Sequence, residues 1–173
     1  GVYTGPGADS LAAVYVPGAD STRFDARNIR GLSVADPGGS NDWVGAYAGT
    51  SSTRTGGTAD SAPRLGIATR DAGTSTWTKR DGAQADTSLL PLADGDGDAK
   101  GQRDPSLIFK HVDGSTDDWW LYYTALPSAG SPAIRVASSD EDTAPNELRP
   151  TAWTKGGLVL AGASHPSALR QGA

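Results

Sequence analysis

The chain has 173 residues, 36% of them hydrophobic, with no Cys, 23 Gly, 11 Pro and a formal net charge of -5. Without Cys, disulfides and thiolate metal centres are excluded. An acidic balance with no basic stripe argues against a nucleic-acid partner, and no apolar run approaches the roughly 20 residues of a membrane helix.

The length suffices for one domain with a real core. The Gly and Pro content predicts many turns between short strands. No signal peptide is visible and Met is absent, so a processed or excised chain is expected. Residues 1–22 read as a partial unit: Val2-Tyr3-Thr4-Gly5 is a faint copy of Ala46-Tyr47-Ala48-Gly49, and Ala12-Ala13-Val14-Tyr15 has strand character. A fuller unit follows over 23–90. Its segments are Gly31-Leu32-Ser33-Val34, Asp42-Trp43-Val44-Gly45-Ala46-Tyr47-Ala48-Gly49, Leu65-Gly66-Ile67-Ala68-Thr69-Arg70-Asp71 and Trp77-Thr78-Lys79. Residues 91–101 form an acidic Gly/Asp loop. The same four segments then return over 102–161 as Asp104-Pro105-Ser106-Leu107, Asp118-Trp119-Trp120-Leu121-Tyr122-Tyr123-Thr124-Ala125, Ile134-Arg135-Val136-Ala137-Ser138-Ser139-Asp140 and Trp153-Thr154-Lys155. The offsets are 73, 76, 69 and 76 positions. His165-Pro166-Ser167-Ala168-Leu169, within 162–173, opens a third copy of the first segment.

Four elements recurring in one order, with loops absorbing the small differences in offset, indicate an internal repeat. In the aromatic segment, alternation puts Trp119, Leu121 and Tyr123 on one face and Trp120, Tyr122 and Thr124 on the other. With both faces apolar, the strand is expected between two layers. Asp113-Gly114-Ser115 reads as a hairpin turn and Pro127 to Pro132 as a looser one. A tandem four-stranded antiparallel unit predicts an all-β fold, a β-propeller with about two and a half to three blades present. A twofold-repeated sandwich is the competing architecture. Propellers close with about four to eight blades. The arc is therefore expected to be completed by the remainder of a longer chain or by a homo-oligomer, two copies of two and a half blades giving a ring.

Gln102-Arg103-Asp104-Pro105-Ser106-Leu107, Trp119 to Ala125, Ile134 to Asp140 and Trp153 together resemble a blade of the five-bladed β-propeller glycosidases. These are glycoside hydrolase families thirty-two, forty-three, sixty-two, sixty-eight and one hundred and thirty; Leu65 to Asp71 with Trp77 repeats the signature. The likeness covers about residues 23–170. It implies a bacterial extracellular or periplasmic protein that hydrolyses glycosidic bonds of oligo- or polysaccharides, needing no cofactor. In such a family the first strand of each blade lines a central funnel, and carboxylates at the strand mouths act as base or nucleophile, orienting group and acid. Two flanking carboxylates are what glycoside hydrolysis requires. By motif match Asp104 carries over as the orienting catalytic residue, beside Arg103, which should keep it ionised. Arg103, His165 and Trp119 are the candidate sugar-binding residues. The equivalents of Asp104 in the neighbouring units are Gly31 and His165, so the acid and base are missing from their expected places. Asp25 and Asp36 bracket the upstream strand out of register. Glu141 and Glu147, the only Glu residues, precede Trp153 in a loop. The alternative function is a non-catalytic propeller that binds glycans or serves as an extracellular scaffold.

Asp94-Gly95-Asp96-Gly97-Asp98 has carboxylates at alternate positions, the opening of an oxygen-ligand Ca²⁺ loop. A full loop would carry Gly sixth and Glu twelfth, where Ala99 and Pro105 stand. A solvated acidic turn is the competing reading. His165 is a candidate for sugar or metal binding, or for acid chemistry at mildly acidic pH, against a purely structural hydrogen bond. Trp43, Trp77 and Trp153, recurring in register, are expected in packing.

Overall fold

The computed structural model describes residues 23–36, 43–51, 62–71, 74, 76–110, 118–140 and 152–168. The structure is all-β. Eight strands are described: β1 (Asn28–Ala35), β2 (Trp43–Thr50), β3 (Arg64–Arg70), β4 (Trp77–Arg80), β5 (Gly101–Lys110), β6 (Asp118–Leu126), β7 (Ala133–Asp140) and β8 (Thr154–Ala161). They form two four-stranded antiparallel sheets, each a meander in chain order, β1-β2-β3-β4 and β5-β6-β7-β8. One 3₁₀ turn, Asp94–Asp96, lies between them. The expected turn at Asp113-Gly114-Ser115, the unit over residues 1–22, and Glu141 and Glu147 lie outside the described residues.

The two sheets repeat one another in register as well as in order. Trp43 pairs with Arg70 as Trp119 pairs with Ser139, and Ser33 pairs with Ala46 as Ser106 pairs with Tyr122. Ala68 pairs with Lys79 as Ala137 pairs with Lys155. The pairing therefore follows the same offsets as the sequence repeat.

Alternation along β2 and β6 decides how the sheets meet. One face of the first sheet, Val44, Ala46, Ala48, Leu65 and Ile67, shares a buried cluster with Trp119, Leu121, Tyr123 and Ala125 of the second, joined by Leu107 and Phe109. Small Ala residues on one side leave room for Trp and Tyr on the other. Trp119 is fully buried, its ring 4.7 Å from that of Phe109. Burying about 200 Å² of indole is worth up to about 5 kcal/mol against the extended chain.

The opposite face of the first sheet carries a second cluster of Phe24, Tyr47, Ala68 and Trp77. Phe24 stacks on Tyr47 at 5.8 Å across Gly66, where an added Cβ would lie 2.5 Å from the Phe24 ring. Only a residue without a side chain fits there. The opposite face of the second sheet differs from the expectation of a strand covered on both sides. Trp120 and Tyr122 there are only half-buried, and on the edge strand β8 Leu158, Val159 and Leu160 are about half exposed. Among the described residues, only the segment after β8 lies against part of this face, through backbone hydrogen bonds to Thr124 and Ser106.

A buried ion pair ties each sheet's outer strand to the chain entering its first strand. Asp25 is fully buried; Lys79 Nζ approaches it at 2.7 Å, and Tyr47 Oη donates to it at 3.0 Å. Asp98, 73 positions on, is equally buried and meets Lys155 Nζ at 2.7 Å. In the second sheet Gln102 Nε2 donates to Asp98 at 2.7 Å, and the Ala93 amide donates at 2.9 Å. Gln102 stands where the first sheet has Ile29, which has no side-chain donor to offer; there Tyr47 Oη and Arg23 Nε, the latter at 3.3 Å, donate to the carboxylate.

Candidate functional site

The first strands β1 and β5 pack against each other, and the segment Ser164–Ala168 takes the same place beside β5. Two hydrogen bonds repeat this relationship. The Leu107 amide donates to Ser33 Oγ at 2.9 Å, and the Ala168 amide donates to Ser106 Oγ at 3.0 Å. In both cases the donor follows the serine of the next copy.

The backbone marks the same three positions. Gly31, Asp104 and His165 have φ of 59°, 52° and 58°. Pairing slips at Gly31 between Arg30 and Leu32, and at Asp104 and Pro105 between Arg103 and Ser106. Glycine enters this left-handed region freely, whereas Asp and His pay in strain, about 1–2 kcal/mol each. Asp104 and His165 also precede Pro105 and Pro166, and residues before proline are ordinarily extended. Non-glycine residues held in such conformations concentrate at functional sites.

The three residues form an arc. A Cβ on Gly31 would lie 3.9 Å from Asp104 Cα. Asp104 Oδ2 lies 3.2 Å from Arg103 Nε and 3.6 Å from His165 Nε2. Neither contact is aligned as a hydrogen bond, so Oδ2, although shielded from solvent, is a charged acceptor with no donor among the described residues. His165 is fixed by its backbone, whose amide donates to Thr124 Oγ1 at 2.9 Å, and its Nδ1 is 2.8 Å from Ser164 Oγ. Its ring is 70% exposed, while the Asp104 side chain is 22% exposed. Further along the same strands, residues 33–36 and 106–109 with Ser167 and Ala168 line an open groove of about 480 Å³, to which Gly31, Asp104 and His165 do not contribute. That size suits a small-molecule or sugar ligand.

The other sequence candidates lie elsewhere. Trp119 is in the core between the sheets and has no exposed surface. Asp25 is held by Lys79, away from the arc, and Asp36 lines the groove at the far end of β1. Asp94 is exposed, whereas Asp96 and Asp98 both contact Lys155, at 2.9 and 2.7 Å. The Lys155 hydrogen bond, reinforced by the charges of Lys155 and Arg135, holds the Asp96 carboxyl below its ordinary range despite slight burial. Among the described residues no group of three or more His, Asp or Glu side chains is arranged to hold a metal ion. No helix among them is long and apolar enough to cross a membrane.

Sequence reasoning did not single out the Asp25–Lys79 and Asp98–Lys155 pairs. The signal was present, since the Asp offset equals that of the first strand and the Lys offset that of the Trp-Thr-Lys segment. No protein-family model, curated protein or solved structure matches this chain.

Proposed function

We propose that the chain is part of a carbohydrate-active β-propeller of glycosidase type, its two sheets being consecutive blades and the Gly31–Asp104–His165 arc part of the mouth of a central funnel. The observation that carries this reading is Asp104 Oδ2, a shielded carboxylate oxygen in the arc, with charged side chains near it and no hydrogen-bond donor among the described residues. A sugar hydroxyl is a donor suited to it. In this reading Asp104 orients the sugar, Arg103 stands beside the carboxylate as its counter-charge, and His165 adds a second polar contact. Hydrolysis further needs an acid to protonate the leaving oxygen and a base or nucleophile across the bond. These groups come from chain outside the described residues. No cofactor is required, and the expected location is extracellular or periplasmic.

The uncovered side of the second sheet, with half-buried Trp120 and Tyr122 and the exposed edge-strand residues Leu158, Val159 and Leu160, fits the same reading. It calls for another blade there, from further polypeptide or from another copy. Sedimentation tests the second source, and a stable monomer at micromolar concentration would remove it.

A non-catalytic glycan-binding propeller is favoured by one observation: Gly31 and His165 occupy the two positions flanking Asp104, leaving one carboxylate in the arc. A panel of aryl glycosides and a panel of immobilised glycans, each run with the parent protein and Asp104→Asn, separates the two readings. Turnover lost in the variant supports hydrolysis. Glycan binding lost in the variant, without turnover, supports the binding module. Equal behaviour of parent and variant in both panels removes Asp104 from the function.

A further inference from the structure

The second sheet is open where the first is closed. Ala46, Leu65 and Ile67 of the first sheet are buried in the cluster shared with the second. Their equivalents by the repeat offsets are Tyr122, Ile134 and Val136. These share one face through the β6–β7 pairing and are only half-buried. Leu160, paired with Ile134, extends that face and is 55% exposed. The series of serine bonds stops at the same place. Ser33 Oγ receives the Leu107 amide and Ser106 Oγ the Ala168 amide. Ser167, third in the series, is exposed and has no such donor among the described residues.

The molecule itself shows what covers such a face. Over the first sheet the cover is the following repeat, whose second strand brings Trp119, Leu121 and Tyr123 and whose first strand donates to the serine. Beside the second sheet, Ser164–Ala168 already holds the place of a following first strand. The second and third segments of a further unit are carried by the opening stretch of the sequence. Val2-Tyr3-Thr4-Gly5 copies the second segment, and Ala12-Ala13-Val14-Tyr15 stands in order where the third belongs. Tyr3 aligns with Tyr47 and so with Tyr123, one of the residues that cover the first sheet. Together the two stretches carry the first three segments of one repeat.

Uniting them within one copy would close a ring of three units, below the roughly four that a propeller needs. Two copies that exchange these stretches contribute two sheets and one shared unit each, six units in all. That number lies within the range of about four to eight and gives a closed twofold ring.

We propose that the open face of the second sheet is the docking site of a second copy of this chain, whose residues 2–15 add alongside Ser164–Ala168 as the second and third segments of a shared unit. The added strands cover Tyr122, Ile134 and Val136 and complete a sheet by main-chain pairing. The next first strand around the ring is then β1 of the second copy. Its Val34, the equivalent of Leu107, donates its amide to Ser167 Oγ. The proposal rests on the reading of the two sheets as consecutive blades and is independent of what the arc binds.

Sedimentation of the whole chain at micromolar concentration should show a dimer. Ile134→Lys and Tyr3→Lys, which put a charge on either side of the contact, should each weaken the dimer at least tenfold. Far-ultraviolet circular dichroism like that of the parent confirms their folding. The chain has no Cys, so a short bismaleimide reports the contact directly. Tyr3→Cys and Tyr122→Cys chains, tagged to differ in mass and mixed, should give a cross-linked heterodimer. A parent that stays monomeric overturns the exchange and leaves further polypeptide as the cover, with the blade reading standing. A dimer that tolerates Tyr3→Lys, or the absence of cross-linked heterodimer, also overturns it. So does a Tyr3→Cys, Tyr122→Cys double variant that cross-links only within one chain. A cross-linked dimer whose X-ray scattering is that of an extended rod rather than a disc overturns the ring and the blade reading with it.

Discussion

The Asp104 carboxylate lies 3.6 Å from the imidazole of His165, the residue that occupies the same position one repeat later. With the imidazole 70% exposed, this pair contributes no more than about 1 kcal/mol to folding. Its geometry is therefore free to serve a ligand.

Changing the arc should separate stability from binding. Asp104→Gly removes a strained left-handed aspartate, so the unfolding free energy should stay level or rise by up to about 1 kcal/mol. Asp104→Ala retains the strain and should be about 1 kcal/mol less stable than Asp104→Gly. Both should lose glycan binding alike. Urea denaturation with a parallel binding assay checks this. A Gly variant clearly less stable than the Ala variant would show that the left-handed conformation is not adopted.

Breaking either buried ion pair should be costly. Lys155→Met leaves the fully buried Asp98 without its cation, whereas Lys79→Met leaves the fully buried Asp25 with Arg23 Nε at 3.3 Å as its remaining one. Lys155→Met should destabilise by about 3–5 kcal/mol, and Lys79→Met by less. Replacing both members, as in Asp25→Leu with Lys79→Met, should recover a large part of the loss. Denaturant midpoints of singles and doubles decide this, and additive single losses would refute direct coupling.

The two equivalent tyrosines should respond in opposite ways. Tyr47 Oη donates to Asp25, so Tyr47→Phe removes a donor from a buried carboxylate and should cost about 1–3 kcal/mol. Tyr123 Oη is buried with no hydrogen-bond partner among the described residues, so Tyr123→Phe should be neutral or stabilising. Burial, then the charge of the neighbouring Asp25 or Asp98, raises both phenols above their ordinary value. A phenol raised in the fold stays neutral while the unfolded chain ionises from about pH 10. The associated stability is complete below about pH 10 and falls as the pH rises beyond it. Urea midpoints at pH 8, 10 and 11 should decline in the parent and decline less in Tyr123→Phe.

Much of this architecture was legible in the chain. Aligning Trp43 with Trp119 and Lys79 with Lys155 anticipated the pairing of the strands, because a period-2 element fixes its register through the residues it buries. The run Asp94-Gly95-Asp96-Gly97-Asp98 was harder to interpret. Its spacing is that of a cation loop, yet the cation that meets two of its carboxylates is Lys155, brought from 59 positions beyond Asp96 and 57 beyond Asp98 by the β7–β8 pairing. Local spacing carries no record of such a partner. The fold also placed Trp119 in the core and Trp120 on the open face, although alternation alone treats both faces of β6 alike. The left-handed turn at His165 was similarly hidden, since neither His nor a following Pro signals it.

The repeated serine bond should be local in its effect. Ser106→Ala removes the acceptor of the Ala168 amide. Hydrogen exchange at Ala168 should accelerate at least tenfold, while exchange in β6 and β7 stays unchanged. Ser33→Ala lies between the packed sheets and should instead cost about 1 kcal/mol of global stability. Unaltered exchange at Ala168 would mean that this segment is held by other contacts.

The left-handed position has a consequence for how such a chain can change. Gly31 and Asp104 show one bulge accepting a bare backbone or a carboxylate while strand pairing resumes on either side of it, and His165 takes the same left-handed φ in the segment after β8. Chemistry there is exchangeable by a single substitution that leaves the buried clusters untouched. Gly31→Asp and Gly31→His therefore make this protein a frame in which new reactive groups can be installed one at a time.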